Sequence, residues 1–188
     1  MSFLDKLASK IMPPESEEDR AVARRNAENM TQGDDWLALA LDHHRRIEAA
    51  FAAALADGAD APGRKEAVKQ LATVLNGHSL AEEVVLYPAL VEAGDKSGAT
   101  MAYEEQSMTK VQMHMLEQLD PMGDEWREKL EHIRGAVLHH IYEEENTWFP
   151  MIVERAAAQR AMLTQRFAQE FARYAGQSEI VEPLSEPA

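Results

Sequence analysis

Two stretches of this chain repeat one another in the residue types that bind metals. His78-Ser-Leu-Ala-Glu82-Glu-Val-Val-Leu-Tyr87-Pro88 returns 62 residues later as His140-Ile-Tyr-Glu-Glu144-Glu-Asn-Thr-Trp-Phe149-Pro150. In a helix, residues four apart lie one above the other on the same face, so each copy presents an imidazole nitrogen and a carboxylate oxygen to one point in space. Two such helices face to face make a metal site. Imidazole and carboxylate without any thiolate suit iron, manganese or zinc rather than copper(I) or an iron–sulfur cluster. A single His-x-x-x-Glu arises often by chance; two copies with matching aromatic-Pro endings carry far more weight.

The elements that must position these residues are helices. Leu37, Ala40, His44, Ile47, Phe51 and Leu55 form one apolar stripe with a histidine in its middle, and Asp34 or Asp35 stands ready to cap it. Val68, Leu71, Leu75, His78, Glu82, Val85 and Ala89 form a second, after the loop 57–63. A third helix follows the break at 94–98 and runs to about Leu119. A fourth carries Leu130, Ile133, Val137, His140 and Glu144. Burying unpaired Glu82 and Glu144 in such faces costs several kcal/mol each, which a metal ion offsets. Short loops between long helices make neighbours antiparallel, so the spacing predicts an all-α, up-down-up-down four-helix bundle over residues 35–155 with its site at mid-height.

Around this bundle the sequence predicts a short amphipathic helix at 1–12 (Phe3, Leu4, Leu7, Ile11), either a piece that packs on its own domain or frays, or a contact for a protein partner or a membrane surface. A polar tether at 13–34 follows. A C-terminal helix at 156–175, with Leu163, Phe167, Phe171 and Tyr174 on one side, packs on the bundle, and 176–188 reads as a disordered tail. The 188 residues carry a formal charge of −14 and no cysteine. Disulfide and thiol chemistry are thereby excluded, and a phosphate backbone would be repelled, which argues against nucleic acid as a partner. No apolar run approaches a membrane span and no leader pattern opens the chain, so a cytoplasmic protein is expected.

With Asp42-His43-His44 on helix one, His78-x-x-x-Glu82-Glu83 with Tyr87-Pro88 on helix two, and His140-x-x-x-Glu144-Glu145 with Phe149-Pro150 on helix four, the chain resembles a bacterial hemerythrin-like protein of the HHE cation-binding family. The resemblance implies a carboxylate-bridged di-iron centre that binds dioxygen, peroxide or nitric oxide; mononuclear iron, manganese or zinc are the alternatives. Under it Glu82 and Glu144 bridge, and His78 and His140 are terminal ligands. In the helix-one doublet His44 shares the apolar stripe and His43 points about 100° away, so His44 is the expected ligand, with His43 and His139 just behind the ligands or at the rim.

Helix three departs from the family pattern. Members commonly carry Glu-His there, with Lys four residues on; this chain has Glu105-Gln106-Ser-Met-Thr-Lys110, so Gln106 stands where an imidazole is expected. His114 lies about 12 Å further along the helix and is not expected to reach the site. Tyr103, one turn before Gln106, is a candidate phenol ligand or hydrogen-bond donor. Methionines 101, 108, 113 and 115 read mainly as core filler. Three functions fit these residues: a carrier or sensor of a small ligand, an enzyme that dismutates peroxide or reduces nitric oxide, and a regulatory module with a structural or sensory metal.

Overall fold

The structure, a computed structural model, describes residues 15–178, the side chains of 175–178 excepted. The 1–12 helix and most of the C-terminal tail therefore lie outside the described residues. Those described form helices α1 (Glu17–Glu28), α2 (Trp36–Ala54), α3 (Ala61–Ala81), α4 (Tyr87–Glu92), α5 (Lys96–Glu117), α6 (Asp124–Glu143), α7 (Phe149–Arg155) and α8 (Arg160–Ser178), with no strand among them. A π-helical turn at Glu82–Leu86 joins α3 to α4, and another at Glu144–Trp148 joins α6 to α7, so the bundle has four long rods as the sequence predicts.

The starts of these helices follow from side-chain caps. Asp35, rather than Asp34, accepts from the Ala38 amide at 3.0 Å and opens α2. Asp60 does the same for Gly63 at 2.9 Å in α3, and Asp95 for Gly98 at 2.8 Å in α5. Each satisfies an amide that the first turn would leave unpaired.

Both π turns have the same cause. Proline has no N–H, and its ring clashes with the carbonyl four residues back, so Pro88 and Pro150 cannot continue an α-helical ladder. The backbone widens instead. The Tyr87 amide donates to the Glu82 carbonyl and the Phe149 amide to that of Glu144, five residues back in each case. The repeated sequence phrase thus folds as a repeated helical defect that starts on a site glutamate.

Two apolar clusters lie on either side of the site. One holds Trp36, Leu37, Leu41, Leu86, Leu90, Trp148 and Phe149; the other holds Ile47, Phe51, Leu71, Leu75, Leu130 and Ile133. Between them, on the same helix faces, sit His44, His78, Glu82, Gln106, His140 and Glu144, all buried.

Several expectations require correction. The polar tether is, over Glu17–Glu28, helix α1, opened by a Ser16/Asp19 capping box and packed through Ala23 and Ala27, both buried. Its apolar face consists of alanines, too small to stand out among so many charges. The C-terminal helix starts at Arg160, after a short turn at Ala157–Gln159, and stays helical to Ser178. It is tied to the start of α2 by the Arg160–Asp35 ion pair and by the Thr164 hydroxyl, which accepts from the Trp36 amide at 3.0 Å. It also lies so close to α3 that a Cβ at Gly77 would meet the Phe171 ring at 3.2 Å. Of the helix-three methionines only Met113 is core; Met101, Met108 and Met115, seven residues apart, are exposed.

Candidate metal centre

His44 comes from α2, His78 from α3, and Glu82 and Glu144 from the first residue of each π turn. One ligand atom from each of these four lies within 4.8 Å of the others, with every residue buried. His44 Nε2 stands 3.1 Å from His78 Nε2 and 3.2 Å from Glu144 Oε2, and His78 Nε2 stands 3.1 Å from Glu82 Oε1. Neither Glu82 Oε1 nor Glu144 Oε2 has a hydrogen-bond partner among the described residues. Buried carboxylate oxygens facing imidazole nitrogens and left unpaired fit a cation, which would accept all four lone pairs at once.

The remaining oxygens of the two carboxylates face a second cluster. Tyr87 Oη lies 3.1 Å from Glu144 Oε1, 3.3 Å from Glu82 Oε2 and 3.1 Å from His140 Nε2. Gln106 Nε2 donates to Glu82 Oε2 at 2.7 Å and to Tyr87 Oη at 2.5 Å. Glu82 and Glu144 therefore stand between a nitrogen-rich half, His44 and His78, and an oxygen-rich half of Tyr87, Gln106 and His140.

Outer carboxylates set the rings. Glu145 Oε1 accepts from His44 Nδ1 at 2.7 Å, and Glu105 Oε2 from His140 Nδ1 at 2.7 Å. Each bond holds a proton on Nδ1 and aims Nε2 into the site. Among the side chains themselves the charges interlock. Burial, then the neighbouring Glu144, pushes the Glu82 carboxyl well above its ordinary range. Burial acts in the same sense on Glu144, but the adjacent His140 and His44 outweigh it and hold that carboxyl well below its ordinary range. His44, despite full burial, is raised to about 9 by the adjacent carboxylates of Glu144 and Glu145.

The five expected ligands thus converge, His140 from the second half. Gln106 stands in the site, its Oε1 buried and unpaired. Tyr103 does not reach it; the residue is exposed, and its hydroxyl donates to the Glu83 carbonyl at 2.5 Å. His114, its side chain 75% exposed beside Glu117, stands apart as expected. His43 lies behind the ligands rather than at the rim, its buried ring 5.6 Å from that of His78. It stacks against Phe167 and Phe171 of α8, with centroids at 5.6 and 3.8 Å.

Sequence reasoning missed Tyr87. In an α-helix a residue five positions on is turned about 140° away. The π turn brings it back onto the Glu82 face, and Pro88 was the available signal.

Burial, followed by the charges of His78 and Arg46, drives the His43 pKa down to about 2. The folded ring stays neutral while the unfolded one protonates below about 6.5. Its contribution is therefore complete above that pH and is lost as pH falls toward 2, at up to about 1.4 kcal/mol per pH unit. Replacing His43 with Phe is expected to flatten the acid side of the melting profile of metal-free protein between about pH 6.5 and 4.5. Parallel profiles for the two proteins would count against this.

A buried constellation of imidazoles and carboxylates at the waist of a four-helix bundle defines a cation-binding helical protein. The chain belongs to the hemerythrin HHE cation-binding domain family, whose model matches residues 37–152. It is similar, at 28% identity over 97 residues, to a protein from Nostoc sp. (strain PCC 7120) described as a DNA nickase. The match spans 52% of this chain and 27% of that relative, so the chain corresponds to about a quarter of the relative's length. No solved structure matches. Among the described residues no helix is long and apolar enough to cross a membrane.

Proposed function

We propose that this is a non-haem iron protein of the cytoplasm, holding two irons between Glu82 and Glu144, that binds or senses dioxygen, peroxide or nitric oxide. The observation that carries the reading is the pair of buried carboxylates, each with one oxygen toward the His44/His78 half and the other toward the Tyr87/His140 half. Iron bound there would supply reversible redox chemistry and open coordination positions for a small ligand. The chain's own residues do the rest. Glu145 and Glu105 fix the proton positions on His44 and His140. The two apolar clusters exclude bulk water.

A cavity of about 20 Å³, bordered by Ile47, His78, Gln106, Val137, His140 and Ile141, adjoins the site. That is room for roughly one water-sized molecule, which supports a diatomic or peroxide ligand over an organic substrate. The nickase description of the relative suits this chain poorly. A net charge of −14 opposes a DNA backbone, and three quarters of that relative lie outside the match. Iron analysis of anaerobically purified protein, with visible spectra before and after oxygen, tests the reading; absence of iron and of any oxygen-dependent band would refute it.

Gln106 favours the second reading, an enzyme acting on peroxide or nitric oxide. A carboxamide is a weaker, neutral ligand than imidazole and leaves a more open position. Gln106→His is expected to tighten iron binding and prolong any oxygenated species, whereas His114→Ala changes neither. A large loss in His114→Ala with no change at Gln106 reverses the assignment.

A further inference from the structure

Helix α1 lies wholly outside the residues matched by the family model, yet one of its side chains ends against the site. Arg24 donates through Nε to Glu145 Oε1 at 2.8 Å, and its Nη2 also lies 2.8 Å from that oxygen. The same carboxylate oxygen accepts from His44 Nδ1 at 2.7 Å. Arg24 is held from the other side by Glu48 of α2, whose Oε1 accepts from Nη2 at 2.8 Å. From Arg24 inward the path is well buried. The exposures are 17% for Arg24, 1% for Glu145 and 0% for His44.

The second copy of the sequence phrase sharpens the point. Glu83, the counterpart of Glu145, is 21% exposed and pairs with Lys110 at 2.5 Å, away from the site. Only the Glu144-Glu145 doublet sends its second carboxylate inward, and that doublet is the one covered by α1. A carboxylate at 1% exposure needs more compensation than one imidazole N–H provides, and a guanidinium supplies it with a fixed, planar set of donors.

We propose that Arg24 is a positioning residue for the metal centre: by anchoring Glu145 it fixes the orientation of the His44 ring and keeps its proton on Nδ1, so that α1 completes the site. This inference rests on the reading of His44 as a ligand. Arg24 touches no ligand itself and acts entirely through Glu145. Outer partners of ligating histidines typically set metal affinity by 10- to 100-fold.

The test uses the full chain and ferrous iron alone, with affinity measured by competition against a chromogenic chelator. Arg24→Met keeps the apolar stem and removes the donors; it is expected to weaken binding about tenfold. Arg24→Lys is expected to restore part of that loss. Glu145→Gln should weaken binding as well, and adding Arg24→Met to it should cost less than about twofold more, since the two residues lie on one path. In metal-free protein the His44 Nδ1–H proton resonance should exchange faster with solvent in Arg24→Met.

A variant that melts lower but keeps wild-type affinity and exchange would overturn the proposal and leave α1 a packing element. Independent, multiplying effects of the two substitutions would overturn the path through Glu145. A wild-type chain that binds no iron refutes the functional reading itself, whereas normal wild-type binding with unaltered variants refutes this inference alone.

Discussion

Glu144→Ala is expected to leave the protein folded and nearly free of iron. Glu144 spans the site: one oxygen lies 3.2 Å from His44 Nε2, and the other 3.1 Å from Tyr87 Oη and 3.3 Å from His140 Nε2. Removing it deletes a ligand from both halves at once. Changes to outer partners alone cost 10- to 100-fold in affinity, so this deletion should exceed roughly 100-fold. Glu82→Ala should behave alike, since Glu82 also faces both halves. The measurement is iron per chain after gel filtration, alongside far-ultraviolet circular dichroism to show an intact bundle. Full iron content with the wild-type spectrum in both variants would sink the assignment.

Removing the metal is expected to lower the melting temperature by roughly 8–16 °C. A ligand at about 1,000 times its Kd stabilises by about 4 kcal/mol, and a chain of this size shifts by about 2–4 °C per kcal/mol. The gap should widen with pH. His44 in the metal-free protein is held at about 9 because the carboxylates of Glu144 and Glu145 beside it outweigh its burial. That raised pKa gives the metal-free form a stabilisation complete below about 6.5 and lost as pH rises through about 9. Iron must displace this same proton, so its apparent affinity should climb roughly tenfold per pH unit between 7 and 9. Paired melting curves of chelated and iron-loaded protein at pH 7 and 9 decide the matter. Equal melting at both would mean that iron is incidental.

The bundle was legible because its signal is periodic. Leu37, His44, Ile47 and Phe51 step by helical intervals, and all four are buried where that stepping places them. The same periodicity misled at Tyr87, because an α-helical wheel cannot anticipate the wider turn that Pro88 imposes. His43 could not be placed from its own helix at all. Its surroundings, Phe167 and Phe171, arrive from a segment more than 120 residues later. Helix α1 was missed for a chemical reason: Ala23 and Ala27 bury as fully as leucines but leave no strong apolar mark in a run of Arg and Glu. Glu145 was hidden by its likeness to Glu83, for the approach of Arg24 and His44 that tells the two apart comes from other helices.

The duplicated turns also make the centre lopsided. Tyr87 and Phe149 occupy equivalent places after their π turns, but Tyr87 puts a hydroxyl among the carboxylates, while Phe149 lays its ring parallel to His44 at 5.7 Å. One oxygen atom is the whole difference between the two copies at that position. A pair of cations held here would be unequal partners, one favoured by neutral nitrogen donors and the other by harder oxygen donors. Loading would then have an order, and a half-filled protein would be a species in its own right rather than a statistical mixture.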